Sequence, residues 1–269
     1  MEIQGTVAVV TGAAGGIGAA IAQRLLEHGG SVVVTDLDGA RLDASVAALE
    51  AYADGRVAGL AGDCSDESHI RASIELAQER FGPVDLYVAN AGVGLGQGLE
   101  APDEDWETAL GVNVMAHVRA ARLLVPGWVE RGRGYFLSTA SAAGLLTQIG
   151  SPTYSVSKHA AVAFAEWLRV TYAHRGVTVS CLCPMGVNTD LLTGGSDSAD
   201  DNARRSARAV TDAGDVLEPL DVADVVVEAL GEERFLVLPH PEVLEFFRRK
   251  AGDYDRWLAG MARYQDSLG

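Results

Sequence analysis

Tyr154 and Lys158 stand four residues apart in the run Tyr154-Ser155-Val156-Ser157-Lys158. Residues at this spacing share one face of a helix, so a phenol and an ammonium would be close enough to interact. A phenol has a pKa of about 10, and a neighbouring positive charge favours the phenolate and lowers that pKa. The pair is therefore typical of a general acid–base catalyst. On its own, the same spacing is equally typical of a solvated helix face.

A glycine-rich turn follows the first predicted strand and reads Thr11-Gly12-Ala13-Ala14-Gly15-Gly16-Ile17-Gly18. Glycines let a ligand approach the backbone closely, and N–H groups at the start of a helix can bind a pyrophosphate. The spacing is not GxGxxG, but the turn occupies the place of that fingerprint between the first strand and the first helix. It predicts a dinucleotide site.

Asp36 ends the second predicted strand. A carboxylate there can accept hydrogen bonds from the adenosine ribose and would repel a 2′-phosphate. Ala13 and Ala14 supply no cation that could bind such a phosphate. The sequence therefore favours NAD over NADP. Taken alone, Asp36 also fits a strand-end carboxylate that caps the next turn.

Further residues follow in a fixed order: Asp63, Asn90-Ala91-Gly92, Asn113 and Ser141, with twelve residues between Ser141 and Tyr154. Together with Thr11-Gly12-x-x-x-Gly16-x-Gly18 and Tyr154-x-x-x-Lys158, this order resembles the main branch of the short-chain dehydrogenase/reductase family, over about residues 5–240. The resemblance implies a Rossmann fold.

The resemblance implies roles for four catalytic positions. Tyr154 exchanges a proton with the substrate oxygen, and Ser141 hydrogen-bonds that oxygen. Lys158 contacts the nicotinamide ribose and lowers the pKa of Tyr154. Asn113 kinks its helix and holds a water of a proton relay. A buried asparagine that satisfies backbone groups is a second interpretation, compatible with the first.

Cofactor contacts are implied at Gly12, Ala14, Gly15, Gly16, Ile17, Gly18, Asp36, Leu37, Asp63, Cys64, Asn90, Ala91, Gly92, Tyr154, Lys158, Pro184, Val187 and Thr189. Substrate contacts are implied at Ser141, Ala143, Gln148, Tyr154, Met185 and Leu191. Apolar side chains dominate the implied pocket, which favours a hydrophobic alcohol or ketone. Met185 follows Pro184 where the family has glycine, which puts the local backbone in doubt. Alternatively, Arg204, Arg205 and Arg208 could recruit an anionic substrate.

These features predict an NAD(H)-dependent oxidoreductase that interconverts a secondary alcohol and a ketone by hydride transfer. One alternative is an epimerase or dehydratase that uses NAD without releasing it, although such relatives are commonly longer. A non-catalytic nucleotide-sensing regulator is another, although such proteins often lack the tyrosine or the serine.

The elements that must position these residues alternate between β-branched runs and amphipathic segments. Strands are predicted at 6–10, 31–35, 57–60, 84–89, 135–138, 177–183 and 235–238, and helices near 17–28, 39–53, 67–81, 103–130, 153–175 and 221–230. This alternation predicts a doubly wound, seven-stranded parallel sheet with helices on both faces. We expect a single domain over 1–269, with a mobile lid at about 190–215 and a docked helical segment at about 241–268.

A formal net charge of −16 argues against nucleic acid and anionic membranes as partners, because phosphate binding needs a positive patch. The three cysteines, Cys64, Cys181 and Cys183, show no CxxC spacing, so we expect buried thiols and no metal site. With no signal-peptide pattern and no long apolar stretch, a cytoplasmic protein is expected. The segments 103–130 and 153–175 resemble helices that the family packs into a homotetramer or homodimer.

Overall fold

The computed structural model describes residues 1–268 and contains one sheet with flanking helices. The strands are β1 (Val7–Thr11), β2 (Ser31–Asp36), β3 (Val57–Ala61), β4 (Leu86–Ala89), β5 (Gly134–Thr139), β6 (Val177–Leu182) and β7 (Leu236–Val237). The helices are α1 (Gly16–Glu27), α2 (Gly39–Leu49), α3 (Glu67–Arg80), α4 (Asp103–Leu110), α5 (Ala116–Arg131), α6 (Pro152–Tyr172), α7 (Asp190–Ser196), α8 (Asp201–Thr211), α9 (Pro219–Glu232), α10 (Glu242–Gly252) and α11 (Tyr254–Ser267). None of these helices combines the length and apolarity that crossing a bilayer requires.

All seven strands are parallel, in the order β3-β2-β1-β4-β5-β6-β7. The predicted Rossmann fold, with seven strands and helices on both faces, is therefore confirmed. The strand order reverses between β1 and β4, and in such sheets ligands bind beyond the carboxyl ends of the strands at that point.

Side-chain alternation along β1 shows why both faces of the sheet are covered. Val7 and Val9 belong to one buried cluster, against α3, α5 and α6, while Ala8 and Val10 belong to the other, against α1, α2 and α9. A strand buried on both faces has no polar alternation, which is why its sequence is a continuous apolar run.

Two predicted segments differ from the observed elements. The helix expected at 103–130 is interrupted by a π-helical turn at Gly111–Met115, whose apolar spacing resembles that of an ordinary helix. The segment expected as a mobile excursion at about 190–215 contains the helices α7 and α8. The buried positions of α8 are the alanines Ala203, Ala207 and Ala209, and α7 has no buried residue.

Candidate active site

Hydrogen bonds join the turn after β1 to the turn after β4. The Thr11 hydroxyl accepts from the N–H groups of Asn90 and Ala91, both at 3.0 Å. The Asn90 amide nitrogen donates to the carbonyls of Thr11 at 3.0 Å and Gly12 at 3.2 Å. Asn90 thus fixes the glycine-rich turn against the central strands.

The glycine-rich turn leaves no room for side chains. Gly12 and Gly16 have φ angles of 66° and 55°, which favour glycine. A Cβ on Gly12 would lie 2.7 Å from the Ala91 Cα, and a Cβ on Gly18 would lie 2.2 Å from the Gly12 carbonyl oxygen. Gly15 precedes α1 and has no side chain to cap it. The turn therefore presents bare backbone at a helix N-terminus, which fits a pyrophosphate.

Two strand-end carboxylates, Asp36 and Asp63, stand where the sequence resemblance implies the adenosine end of a dinucleotide cleft. Asp36 accepts hydrogen bonds from the N–H groups of Ala14 at 2.9 Å and Leu37 at 2.8 Å. Asp63 accepts from the Ser65 N–H at 2.7 Å. Asp36 thus caps the turn that follows β2, as the alternative interpretation of this residue expected. It also contacts the glycine-rich turn at Ala14. Its role towards a ribose stays a prediction.

Cys64 and Arg41 lie near the Asp36 carboxylate. Burial raises the pKa of the Cys64 thiol to about 12, so this group is unreactive at neutral pH. Arg41, which sequence reasoning missed, donates to Asp190 at 2.6 Å and lies 3.4 Å from a Cβ placed on Gly15. It joins α2 to the start of α7 beside the glycine-rich turn.

The catalytic candidates meet at the carboxyl end of β5. Ser141 follows that strand, and α6 carries Tyr154 and Lys158 towards it. The Tyr154 hydroxyl lies near enough to the Ser141 hydroxyl for Ser141 to lower the pKa of Tyr154. Lys158 donates to the Thr139 carbonyl at 3.0 Å, and its Nζ lies 5.6 Å from the centre of the Tyr154 ring. The sequence prediction that these side chains share one helix face is consistent with this geometry.

Burial dominates the proton affinities of this group. It raises the pKa of Tyr154, and the hydrogen bond from Ser141 partly offsets that rise. Burial also lowers the pKa of Lys158 to about 8. The resemblance implied that Lys158 lowers the pKa of Tyr154. In the protein without a ligand, the pKa of Tyr154 is instead raised, because desolvation of the phenolate outweighs the other effects.

Asn113 lies within the π-helical turn and is fully buried. Its amide accepts from the Val93 N–H at 2.9 Å and donates to the Val93 carbonyl and to the Ser157 hydroxyl, both at 3.0 Å. A Cβ placed on Gly92 would lie 3.2 Å from both the Asn113 Oδ1 and the Lys158 Nζ. Asn113 thus satisfies backbone groups, as one interpretation expected, while the water relay stays a prediction.

The segment after β6 is ordered by a histidine that the sequence analysis overlooked. The Pro184 carbonyl accepts from the Ala142 N–H at 2.8 Å. The Met185 N–H donates to the His240 Nδ1 at 3.1 Å, and the His240 Nε2 donates to the Gly186 carbonyl at 3.0 Å. His240 is 1% exposed. This bracing defines the backbone at Met185, which the replacement of the family glycine had put in doubt.

The segment after Met185 contains two more of the residues predicted to contact the cofactor, Val187 and Thr189. Val187 is buried and forms a parallel bridge with Leu217. Thr189 precedes α7, and its hydroxyl donates to the Val187 carbonyl at 3.3 Å. Its methyl group lies 3.1 Å from a Cβ placed on Gly16, so Thr189 borders the glycine-rich turn.

The predicted substrate contacts fall into different environments. Leu191 of α7 lies 3.1 Å from a Cβ placed on Gly94, so the helix covers the loop after β4. Ala143 is buried and donates its N–H to the Ser141 hydroxyl at 3.1 Å. The Gln148 amide donates to the Ser206 carbonyl and hydroxyl of α8 at 3.1 and 2.9 Å. This nitrogen is engaged with α8, and a role of Gln148 in substrate binding stays a prediction.

Two of the three lid arginines pair with carboxylates of their own segment. Arg204 pairs with Asp201, and Arg208 with Asp212 at 3.4 Å. This pairing weakens the argument that they recruit an anionic substrate.

The cysteine pair lies near Lys158. Cys181 and Cys183 are buried with their sulfur atoms 3.8 Å apart. Within residues 1–268, no group of three or more His, Cys, Asp or Glu side chains is arranged to hold a metal ion.

Comparison with known proteins assigns this arrangement to a family. The short chain dehydrogenase model matches residues 6–199. The chain is 37% identical to 1-deoxy-11-beta-hydroxypentalenate dehydrogenase of Streptomyces exfoliatus, over 90% of this chain and 86% of that protein. A short-chain dehydrogenase/reductase from Burkholderia phymatum, solved in complex with NAD, is 32% identical, with a TM-score of 0.86 over 95% of this chain and 96% of that one. L-sorbose reductase from Gluconobacter frateurii, solved with NADPH and L-sorbose, is 28% identical, with a TM-score of 0.77 over 88% of this chain and 95% of that one. The chain belongs to the short-chain dehydrogenase/reductase family of oxidoreductases.

Proposed function

We propose that the protein is an NAD(H)-dependent oxidoreductase that interconverts a secondary alcohol and a ketone, with Tyr154 as its acid–base catalyst. The carrying observation is the proximity of the Ser141 and Tyr154 hydroxyls to each other and of the buried Lys158 to the Tyr154 ring. The glycine-rich turn, the Asn90 turn and Thr189 would hold the dinucleotide. Bound nicotinamide supplies or accepts the hydride.

The protein's own part is to position the substrate and move one proton. The Ser141 hydroxyl holds the substrate oxygen. The Tyr154 hydroxyl gives a proton to that oxygen in reduction, and the Tyr154 phenolate takes the proton back in oxidation. Lys158, held by the Thr139 carbonyl, keeps a positive charge beside the ring. Gly92 leaves Lys158 and Asn113 open to a ligand at the same place.

The first test follows the absorbance of NADH and NADPH with apolar ketones and aldehydes. In Tyr154→Phe we expect turnover to fall about a hundredfold or more, because the proton donor is removed. Tyr52→Phe is the matched control, since Tyr52 is 45% exposed and lies after α2. Tight NADH binding without turnover of any substrate by the natural protein would contradict the proposal and favour a nucleotide-sensing role.

The preference for NAD rests on Asp36, because the compared structures contain NAD in one case and NADPH in another. A carboxylate at the ribose would repel the 2′-phosphate. In Asp36→Ser we expect the kcat/KM ratio of NADH to NADPH to fall about tenfold or more. A natural protein that prefers NADPH would refute this assignment.

An apolar substrate is proposed from the side chains at the mouth of the site. Leu95 and Leu191 are 41% and 51% exposed there. The Streptomyces relative is named for a hydroxypentalenate. Faster turnover of sugar phosphates than of apolar ketones would overturn this part of the proposal.

A homotetramer, or else a homodimer, is proposed from the surface of α6. Val156, Trp167 and Val170 are 49%, 55% and 81% exposed on this helix. Such large apolar groups on one element favour burial against another subunit. A monomeric mass by light scattering would refute the assembly.

A further inference from the structure

The chain contains only two lysines, Lys158 and Lys250. Its other permanently basic side chains are arginines. Both are almost fully buried, at 2% and 6% exposure. Lys158 belongs to the proposed catalytic group. Lys250 lies on α10, in a part of the chain to which no motif was assigned.

Lys250 binds the segment that leads from Ser141 towards Tyr154. Its Nζ donates to the Leu145 carbonyl at 2.8 Å and the Leu146 carbonyl at 2.7 Å. The N–H groups of those two residues bind the Ala142 carbonyl in a tight turn. The turn thus satisfies its own donors, while its outward carbonyls accept from a residue more than a hundred positions later.

A third acceptor completes the surroundings of the ammonium. The His159 Nε2 lies 3.4 Å from the Lys250 Nζ, and the His159 Nδ1 lies 2.8 Å from the Ser155 carbonyl. Because a carbonyl only accepts, Nδ1 carries the proton and Nε2 is left to accept from Lys250. Three N–H groups therefore have three acceptors.

The chemistry of this contact explains why a lysine stands here. An ammonium is a compact donor that can direct its hydrogens to three separate acceptors, whereas a guanidinium is a planar fork suited to paired oxygens. Two successive carbonyls and a ring nitrogen around one atom fit the ammonium. The Tyr254 ring, 5.4 Å from the Nζ, covers it further.

The bound segment forms one wall of the proposed substrate pocket. It begins beside Ser141, contains Ala143, and continues to Gln148, whose N–H donates to the Ser155 hydroxyl at 2.8 Å. It is irregular after the short turn at Ala142–Gly144. The position of this segment therefore depends on contacts with other parts of the chain. The hydrogen bonds from the buried ammonium of Lys250 are among these contacts.

We propose that Lys250 is a positioning residue that fixes the segment 142–148, and with it the placement of Ser141 and the substrate wall. The effect on turnover rests on the proposed function. Because a displacement of about an ångström can reduce turnover about a hundredfold, a loose wall should weaken both substrate binding and the hydride step.

The test compares Lys250→Met with Arg249→Met, its neighbour on the exposed side of α10. We expect Lys250→Met to lower kcat/KM for the ketone about tenfold or more. The KM for NADH should remain unchanged, because Lys250 does not border the cleft. Arg249→Met should behave as the natural protein. An unchanged kcat/KM for the ketone in Lys250→Met would overturn the proposal.

Chemical rescue separates hydrogen bonding from general stability. Lys250 borders a surface cavity of about 280 Å³, large enough to admit a small amine. Propylammonium should restore kcat/KM in Lys250→Ala, whereas tetramethylammonium, which has the charge but no N–H, should not. Equal restoration by both ions, or by neither, would contradict the proposed hydrogen bonds.

Amide hydrogen exchange gives a readout that needs no substrate. Exchange within 142–148 should accelerate in Lys250→Met and not in Arg249→Met. If the natural protein reduces no ketone, the proposed function fails, yet faster exchange would still support the positioning role. Unchanged exchange in Lys250→Met would refute that role whatever the activity. If Lys250→Met does not fold, Lys250→Ala prepared in propylammonium replaces it, and removal of the propylammonium should then lower kcat/KM and accelerate exchange within 142–148.

Discussion

Replacing Lys158 with methionine should stabilise the protein at neutral pH, although it should abolish turnover. Burial lowers the pKa of this lysine from 10.5 to about 8. Since one pKa unit corresponds to about 1.4 kcal/mol, keeping the buried amine protonated at pH 7 costs about 3 kcal/mol of folding free energy. Loss of the hydrogen bond to the Thr139 carbonyl offsets about 1 kcal/mol of this. The expected net gain at pH 7 is about 2 kcal/mol.

The pH dependence of this difference carries the decisive information. The folded pKa lies below the unfolded one, so the cost is complete below pH 8 and disappears as the pH rises to 10.5. Urea unfolding of both proteins without nucleotide should show the methionine variant more stable at pH 7, and the natural protein equal or slightly more stable above pH 10.5. Groups common to both proteins cancel in this difference. A difference that stays constant over this range would refute the reasoning.

Two further substitutions test the glycine-rich turn and the buried core. Gly18→Ala places a Cβ 2.6 Å from the Asn90 side-chain nitrogen, so NADH affinity, measured by fluorescence titration, should fall about tenfold or more, whereas Gly127→Ala, with nothing within 4 Å, should retain it. Burial lowers the pKa of His117 from 6.5 to about 3, so the natural protein should lose stability relative to His117→Phe as the pH falls from 6.5. That loss approaches about 4 kcal/mol near pH 3, and parallel acid-unfolding curves for the two proteins would contradict it.

Local patterns predicted most of the sheet and much of the candidate site. The strands appear as continuous apolar runs because both faces of the sheet are covered. Tyr154 and Lys158 are recognisable because four residues make one helical turn. The glycine-rich turn is recognisable because its function requires backbone without side chains. In each case one short segment contains the whole signal.

The features that escaped prediction depend on contacts between distant segments. His240 braces Met185 and Gly186 from more than fifty residues away, and no local pattern marks either partner. The π-helical turn has the apolar spacing of a helix, and its Asn113 is bound to Val93, twenty residues away in the chain. The helices at 190–215 escaped notice because no residue of α7 is buried and the buried residues of α8 are all alanines.

The contrast between the two lysines links these observations to function. Lys250 has three hydrogen-bond acceptors, which match the three hydrogens of an ammonium. For Lys158, residues 1–268 provide one hydrogen-bond acceptor, the Thr139 carbonyl. A buried ammonium with hydrogens to spare is costly, which agrees with the lowered pKa of Lys158. Since the spare hydrogens lie beside Gly92, where no side chain intervenes, we expect a ligand's hydroxyls to accept them. Lys250, whose three hydrogens all have acceptors, would hold the segment 142–148 in place. Lys158, which has hydrogens left to donate, would bind the ligand.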